Sequence, residues 1–495
     1  MSGSSTARGA RGGAGGAGGS GAEGGSGGAG AQGGAGGSGN AGGAGGAGGA
    51  DAVCGNGIVE AGEACDGDCP ATCADDGDAC TASVLSGTPE TCDVTCVDTP
   101  ITACVTGDGC CPTGCTAPGD LDCVACDLTV PDDHPTIGAA ILAATAPAVV
   151  CVRPGQYVES LTLRPHVSLQ GYGPTTEIVG EISAIDLPDP DPTPTTLRDL
   201  RVVGDHGGIV SSCPLNDTLC SSTLSFPGET LSLTMERVSL VASDVATSTI
   251  YCGRFALYQG SYTITFRDSS CITADRGFRV QSSVASAPVT HELIVERSTF
   301  MPAASNGGWV YDAVEFLPGQ SGSGTCGATT SPAGTRFKAT IINNEFHQTY
   351  YDAIYATRCV SLTAADRAQS GIDIRNNTFV TREGATGDMA YSIWINGVGN
   401  YDPPVTVANN LYWRTNANPV RGLTPNVSAG NLLPAANPFL DLAAGDLHLA
   451  PGSAAIDTAD PTHAPPVDKA GLPRPVDGDQ NGTSLPDVGA HEYTP

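Results

Sequence analysis

The chain has 495 residues and a net charge of −30, with 52 acidic against 22 basic side chains. A polyanion of this kind repels nucleic acid and anionic lipid surfaces, so neither is an expected partner. No run of 18 apolar residues occurs, so no transmembrane segment is expected.

Residues 1–50 hold 25 glycines and almost no large apolar side chain. They cannot bury a core that offsets ordering entropy, and they read as a disordered Gly/Ala/Ser-rich linker. Met1–Arg11 lacks the apolar stretch of an export signal, and the expectation is that a signal peptide precedes it.

Residues 51–126 read as a disulfide-rich module. Thirteen of the 20 cysteines lie between Cys54 and Cys126, and residues 51–126 hold 14 acidic residues and no Lys or Arg. A segment this poor in apolar residues folds by cross-linking, in an oxidising compartment. The protein is therefore expected outside the cell or on its surface. The run from Cys54-Gly-Asn-Gly-Ile-Val-Glu to Cys65-Asp-Gly-Asp-Cys69 resembles the Myxococcus cysteine-rich repeat of bacterial surface proteins. Its acidic loops, Asp66/Asp68 and Asp75/Asp76/Asp78, are candidates for calcium.

Residues 127–435 open with an amphipathic helix over His134–Ala146, with Ile137, Ile141 and Leu142 on one face. Short strands follow at Val149–Val152, Gln156–Glu159, Leu161–Leu163 and Val167–Leu169. This entry is similar to that of pectate-lyase-like β-helices, where the helix caps the first coil. A period near 30 residues then aligns Asp199, Arg237, Asp268, Arg297, Asn343, Asn376 and Asn409. Three residues beyond each lies an apolar file: Val202, Leu240, Cys271, Phe300, Phe346, Phe379, Tyr412. The period suits an all-β fold, a right-handed parallel β-helix with coils ~4.8 Å apart. The first file alternates in charge and then ends in Asn343, Asn376 and Asn409, which reads as an ion-pair ladder continued by an amide ladder. Seven cysteines lie beyond Cys126. The expected pairs are Cys126–Cys151, Cys213–Cys220, Cys252–Cys271 and Cys326–Cys359, which leaves 12 for the module.

A second file runs Gly207, Arg276, Asp312, Asp352, Tyr391, each followed by a small and then an apolar residue. Asp312 and Asp352 then stand about 5 Å apart in adjacent coils, with no cation between them and Arg276 one coil below. Such a pair suits a calcium site or a glycosidase pair. Tyr311, Tyr351 and Tyr391, with Tyr350, offer flat faces for sugar rings. In the lyases of this fold, carboxylates hold calcium against a uronate and an arginine takes a proton, a role the resemblance offers to Arg276 or Arg358. Gly155-Gln156-Tyr157-Val158-Glu159 matches the Gly-x-Tyr-x-Glu of pectin methylesterases. The other signatures of that family and of polygalacturonases are absent.

Residues 436–495 run from Asn437-Pro438-Phe439 to Ala490-His491-Glu492-Tyr493. They resemble the end of choice-of-anchor Q type surface proteins, in which this segment completes the β-helix. Asp477-Gly478-Asp479-Gln480-Asn481-Gly482 has the spacing of a calcium loop, with Asp487 as a further ligand. The reading from sequence is a monomeric surface protein that binds extracellular polysaccharide, with calcium as a candidate cofactor. The alternatives are a calcium-dependent polysaccharide lyase or glycoside hydrolase using Asp312, Asp352 and Arg276, or a structural stalk or adhesin.

Overall fold

The computed structural model describes residues 53–59, 62–73, 78, 80–184, 194–204, 207–211, 230–242, 251–257, 260–273, 275–282, 288–303, 309–318, 329–358, 360–397 and 404–495. Residues 1–50, Asp75, Asp76, Cys213, Cys220, Cys326, Cys359 and the Arg358 side chain lie outside this description. The chain divides into two compact units. One comprises Ser86–Thr95 and the described residues up to Ala71; the other comprises Thr72–Leu85 and Cys96–Pro495.

The first unit has a minimal core of Cys65, Cys92 and Val94, tied by Cys54–Cys92 and Cys65–Cys69. In the second, Cys73–Cys96, Cys80–Cys110, Cys104–Cys115 and Cys111–Cys123 hold the cysteine-rich stretch. Cys126 is bonded to Cys151, and Cys252 to Cys271.

The rest of the second unit is parallel sheet. Thr195–Gly204, Thr230–Ala242, Ser261–Arg267, Thr290–Glu296, Arg336–Ile342, Gly371–Arg375 and Val405–Ala408 pair in sequence order, every neighbour parallel. A second sheet runs in the same order from Leu161–Thr162 to Val420–Gly422. A third set runs through Ser270–Thr273, Thr299–Pro302, Glu345–Thr349, Thr378–Thr381 and Leu411–Trp413. Each strand is hydrogen-bonded to its equivalents one repeat before and one repeat after, so like residues stack. Val202, Leu240, Cys271, Phe300, Phe346, Phe379 and Tyr412 form one file in register. Phe346 lies 4.8 Å from Phe379, and Phe379 lies 5.2 Å from Tyr412, ring centre to ring centre.

The opening helix is Ile137–Ala143. Thr136 caps its N-terminus, and the Glu159 carboxylate accepts from the Ile137 and Gly138 N–H groups. Its buried face is Ile137, Ala140 and Ile141. Leu142, expected on that face, is 76% exposed. At 100° per residue it turns away from a stripe spaced by three and four.

The alternating file proves to be a backbone corner. Asp199, Arg237, Asp268, Arg297, Asn343, Asn376 and Asn409 all have φ between 48° and 58°. Arg237 and Arg297 hold Asp199 and Asp268 through two hydrogen bonds each. Arg198–Glu236 and Arg267–Glu296 pair beside them. The amide ladder expected at Asn343, Asn376 and Asn409 stands one residue later. There Asn344 donates to Asn377, Asn377 to Asn410 and Asn410 to Asn431, each at 3.0 Å. The left-handed corner sends its own side chain outward, while the next residue points along the stack. The outward amides instead grip the C-terminal segment: Asn343 donates to Val467 O, Asn376 to Asp487 O and Asn409 to Asp460 O.

That segment therefore lies alongside the later coils. It builds a second small core from Val380 and Leu411 of the stack with Phe439, Leu447, Leu449, Ile456 and Val488. No helix among the described residues is long and apolar enough to cross a membrane, which says nothing of a β-barrel.

Candidate functional site

The second file is found in the sheet that ends at Val420–Gly422, and it has one more member than expected. Tyr251 pairs in register with both Gly207 and Arg276. The small residues that follow allow close stacking: a Cβ on Gly277 would lie 2.1 Å from Ala313 O. Arg276, Asp312 and Asp352 then come together, with the Asp352 N–H 3.4 Å from Asp312 Oδ1 and Arg276 Nη1 3.2 Å from Asp312 Oδ2.

The carboxylates are not free of cations, contrary to expectation. Arg421 reaches down from two coils above and holds both oxygens of the fully buried Asp352, at 3.1 and 2.5 Å. Arg276 is bound by Glu315 as well as Asp312, and Arg279 lies 3.3 Å from Glu315. Burial and the neighbouring Glu315 push the Asp312 carboxyl well above the usual range, against the pull of Arg276. Arg276 loses by burial but gains more from Glu315 and Asp312, and stays charged. A calcium ion between Asp312 and Asp352 would have to displace these guanidiniums.

The aromatic residues assemble too, but as a pile. Tyr311 stacks on Tyr351 at 5.0 Å and Tyr355 on Trp394 at 4.4 Å. Arg276 covers Tyr311, and Arg421 sits against Tyr351, Tyr391 and Trp394. The faces expected to take sugar rings are thus largely spent on one another, and the edges remain. Those edges wall a cleft of about 170 Å³ over Arg276, Arg279, Asp312, Glu315 and Leu317. Tyr391 stands above it against Arg421.

Sequence reasoning missed Glu315, Arg279, Arg421, Tyr355 and Trp394. They occupy the next outward file, Arg254, Arg279, Glu315, Tyr355, Trp394, Arg421. Extending the alignment three residues past Asp312 finds that file.

In the C-terminal segment, Asp477 and Asp479 meet Asp457, with one oxygen of each within 4.8 Å of the others. Asn481 donates its N–H to both Asp477 and Asp479, and its amide nitrogen to Asp479. Asp487, expected as a ligand, is fully buried elsewhere and accepts from the Asp457 and Tyr493 N–H groups. It serves to fix the chain, and Asp457 takes its place in the acidic group.

Compared with protein-family models, with curated proteins and with solved structures, the chain finds no match.

Proposed function

We propose that this is an extracellular or surface-displayed protein whose parallel sheets wind as a right-handed β-helix, and that it binds polysaccharide at the cleft over Arg276, Asp312 and Glu315. Parallel crossovers are right-handed in nearly all sheets, which supports the handedness. Eight disulfides among the described residues favour an oxidising compartment. The observation that carries the binding reading is the cleft itself, walled by tyrosine and tryptophan edges over a hydrogen-bonding floor. A sugar would be held by hydroxyl contacts and ring edges.

Titration calorimetry against a polysaccharide panel tests this reading. Binding that is lost in Tyr355→Ala, with an unchanged melting temperature, supports it. No binding to any member sinks it.

A glycoside hydrolase or lyase is the second reading, favoured by the Asp312 carboxyl, which burial and Glu315 push well above its usual range. It requires reducing ends or unsaturated uronates to accumulate with the wild type and not with Asp312→Asn. Calcium belongs to the proposal at Asp457, Asp477 and Asp479. A bound ion raises the melting temperature by mass action, so chelation should lower it, and substitution of Asp477 should abolish the difference.

A further inference from the structure

We propose that the cleft takes an uncharged sugar and discriminates against uronates and sulfated glycans. The inference rests on the polysaccharide reading above and narrows it to a chemical class.

Every guanidinium at the cleft is already matched. Arg276 faces Glu315, Asp312 at 3.2 Å and Asp275 at 3.9 Å. Arg279 faces Glu315 at 3.3 Å and donates to the Tyr251 hydroxyl at 3.0 Å. Arg421 is bound to both oxygens of Asp352. Three guanidiniums thus meet four carboxyls. Burial and the neighbouring Glu315 push the Asp312 carboxyl toward its uncharged form, so little net charge is left over.

An arriving carboxylate or sulfate finds no uncommitted cation among the residues that line the cleft. To gain one it must displace Glu315 or Asp352, both buried, and leave a charge there without its partner. A divalent ion cannot bridge the ligand to the wall either, because guanidiniums occupy the carboxylates that would hold it. The net charge of −30 adds a repulsive field for any polyanion. An uncharged sugar meets none of these costs. Its hydroxyls can pair with the tyrosine hydroxyls and remaining guanidinium N–H groups, and its C–H groups can meet the ring edges of Tyr355 and Trp394.

The test is calorimetry with matched oligosaccharides, neutral and uronate, of the same linkage, with calcium and with chelator. The neutral member should bind at least about tenfold more tightly, with no response to calcium. Glu315→Gln keeps the shape, frees Arg279 of its carboxylate and leaves Arg276 one fewer, so uronate affinity should rise about tenfold. Asp275→Asn, at a more exposed position, should shift uronate affinity the same way by less and with the fold intact. Wild-type protein that binds the uronate as tightly, or more tightly with calcium, overturns the inference and leaves the polysaccharide reading standing. So does a failure of both substitutions to raise uronate affinity. Binding of neither sugar, or binding indifferent to Tyr355→Ala, overturns both.

Discussion

Six of the seven left-handed corner residues match what covers them, and the buried Asp199 is held by Arg237 and Gln170. Arg237, Asp268 and Arg297 are partly open to solvent and carry charge, whereas Asn343, Asn376 and Asn409 lie under the C-terminal segment at 3% exposure or less. Asparagine tolerates the left-handed region and offers an uncharged donor to the carbonyls above it. Asn376→Asp keeps a residue type that Asp199 and Asp268 show the corner accepts. Its carboxylate would face the Asp487 and Gly489 carbonyls in a buried site. We expect a loss of about 3 kcal/mol at pH 7 by urea unfolding, recovered as acid protonates the new group. A loss that persists at pH 4 would point to shape instead of charge. Arg421 makes the complementary case in the cleft. Arg421→Met strands the buried Asp352 carboxylate and should cost about 3–5 kcal/mol, while adding Asp352→Asn should return most of it. Equal destabilisation in the single and double variants would refute the charge explanation.

The same economy operates at the scale of elements. The Gly-x-Tyr-x-Glu motif is a structural device here. Glu159 closes the first turn of the opening helix, and the Tyr157 hydroxyl donates to Arg153 O at 3.0 Å. The C-terminal segment is fastened by two acidic centres of opposite habit. Burial works against the Glu345 charge, but His347, His491 and Lys469 outweigh it and hold that carboxyl far below its usual range. Burial raises Glu492 to about 7 and Asp487 to about 6, with Arg474 only partly offsetting it. The signs follow. The Glu345 contribution is present above the ordinary glutamate range and lost in strong acid. The Glu492 and Asp487 contributions are full near pH 4 and are lost as pH rises through about 6 to 7. The segment should therefore be most protected from hydrogen exchange near pH 5 and less so at pH 8. Glu492→Gln should flatten the alkaline side alone. Protection that rises from pH 5 to pH 8 would contradict the assignment.

Through the stacked sheets as a whole, one dimension dominates. Phe346, Phe379 and Tyr412 could be placed in one file from sequence because a repeat near 30 residues fixes which side chains are neighbours along the stack. The same logic brought Asp312, Asp352 and Arg276 together. It could not show that Arg421 skips a coil to reach Asp352, because a long side chain leaves its own file. Nor could it reveal the corner φ, which moved the amide ladder from Asn343 to Asn344, or the C-terminal segment folding back along the flank. Those depend on contacts such as Asn376 to Asp487, 111 residues apart, that no period encodes. Where the period does rule, mechanical consequences are local. A strand touches only the strands above and below it, so stability in such a stack is a sum of near-neighbour terms. Phe346→Ala would leave a cavity between rings 5.2 and 4.8 Å away. Its cost should be about 3–5 kcal/mol. Native-state hydrogen exchange should place that loss in Thr299–Pro302, Glu345–Thr349 and Thr378–Thr381 and their immediate neighbours. Protection at Ala148–Val152 and Val167–Gln170, several coils away, should stay near the wild-type value. A uniform fall across all strands would mean that the stack unfolds as one cooperative body, and the near-neighbour description would have to be abandoned.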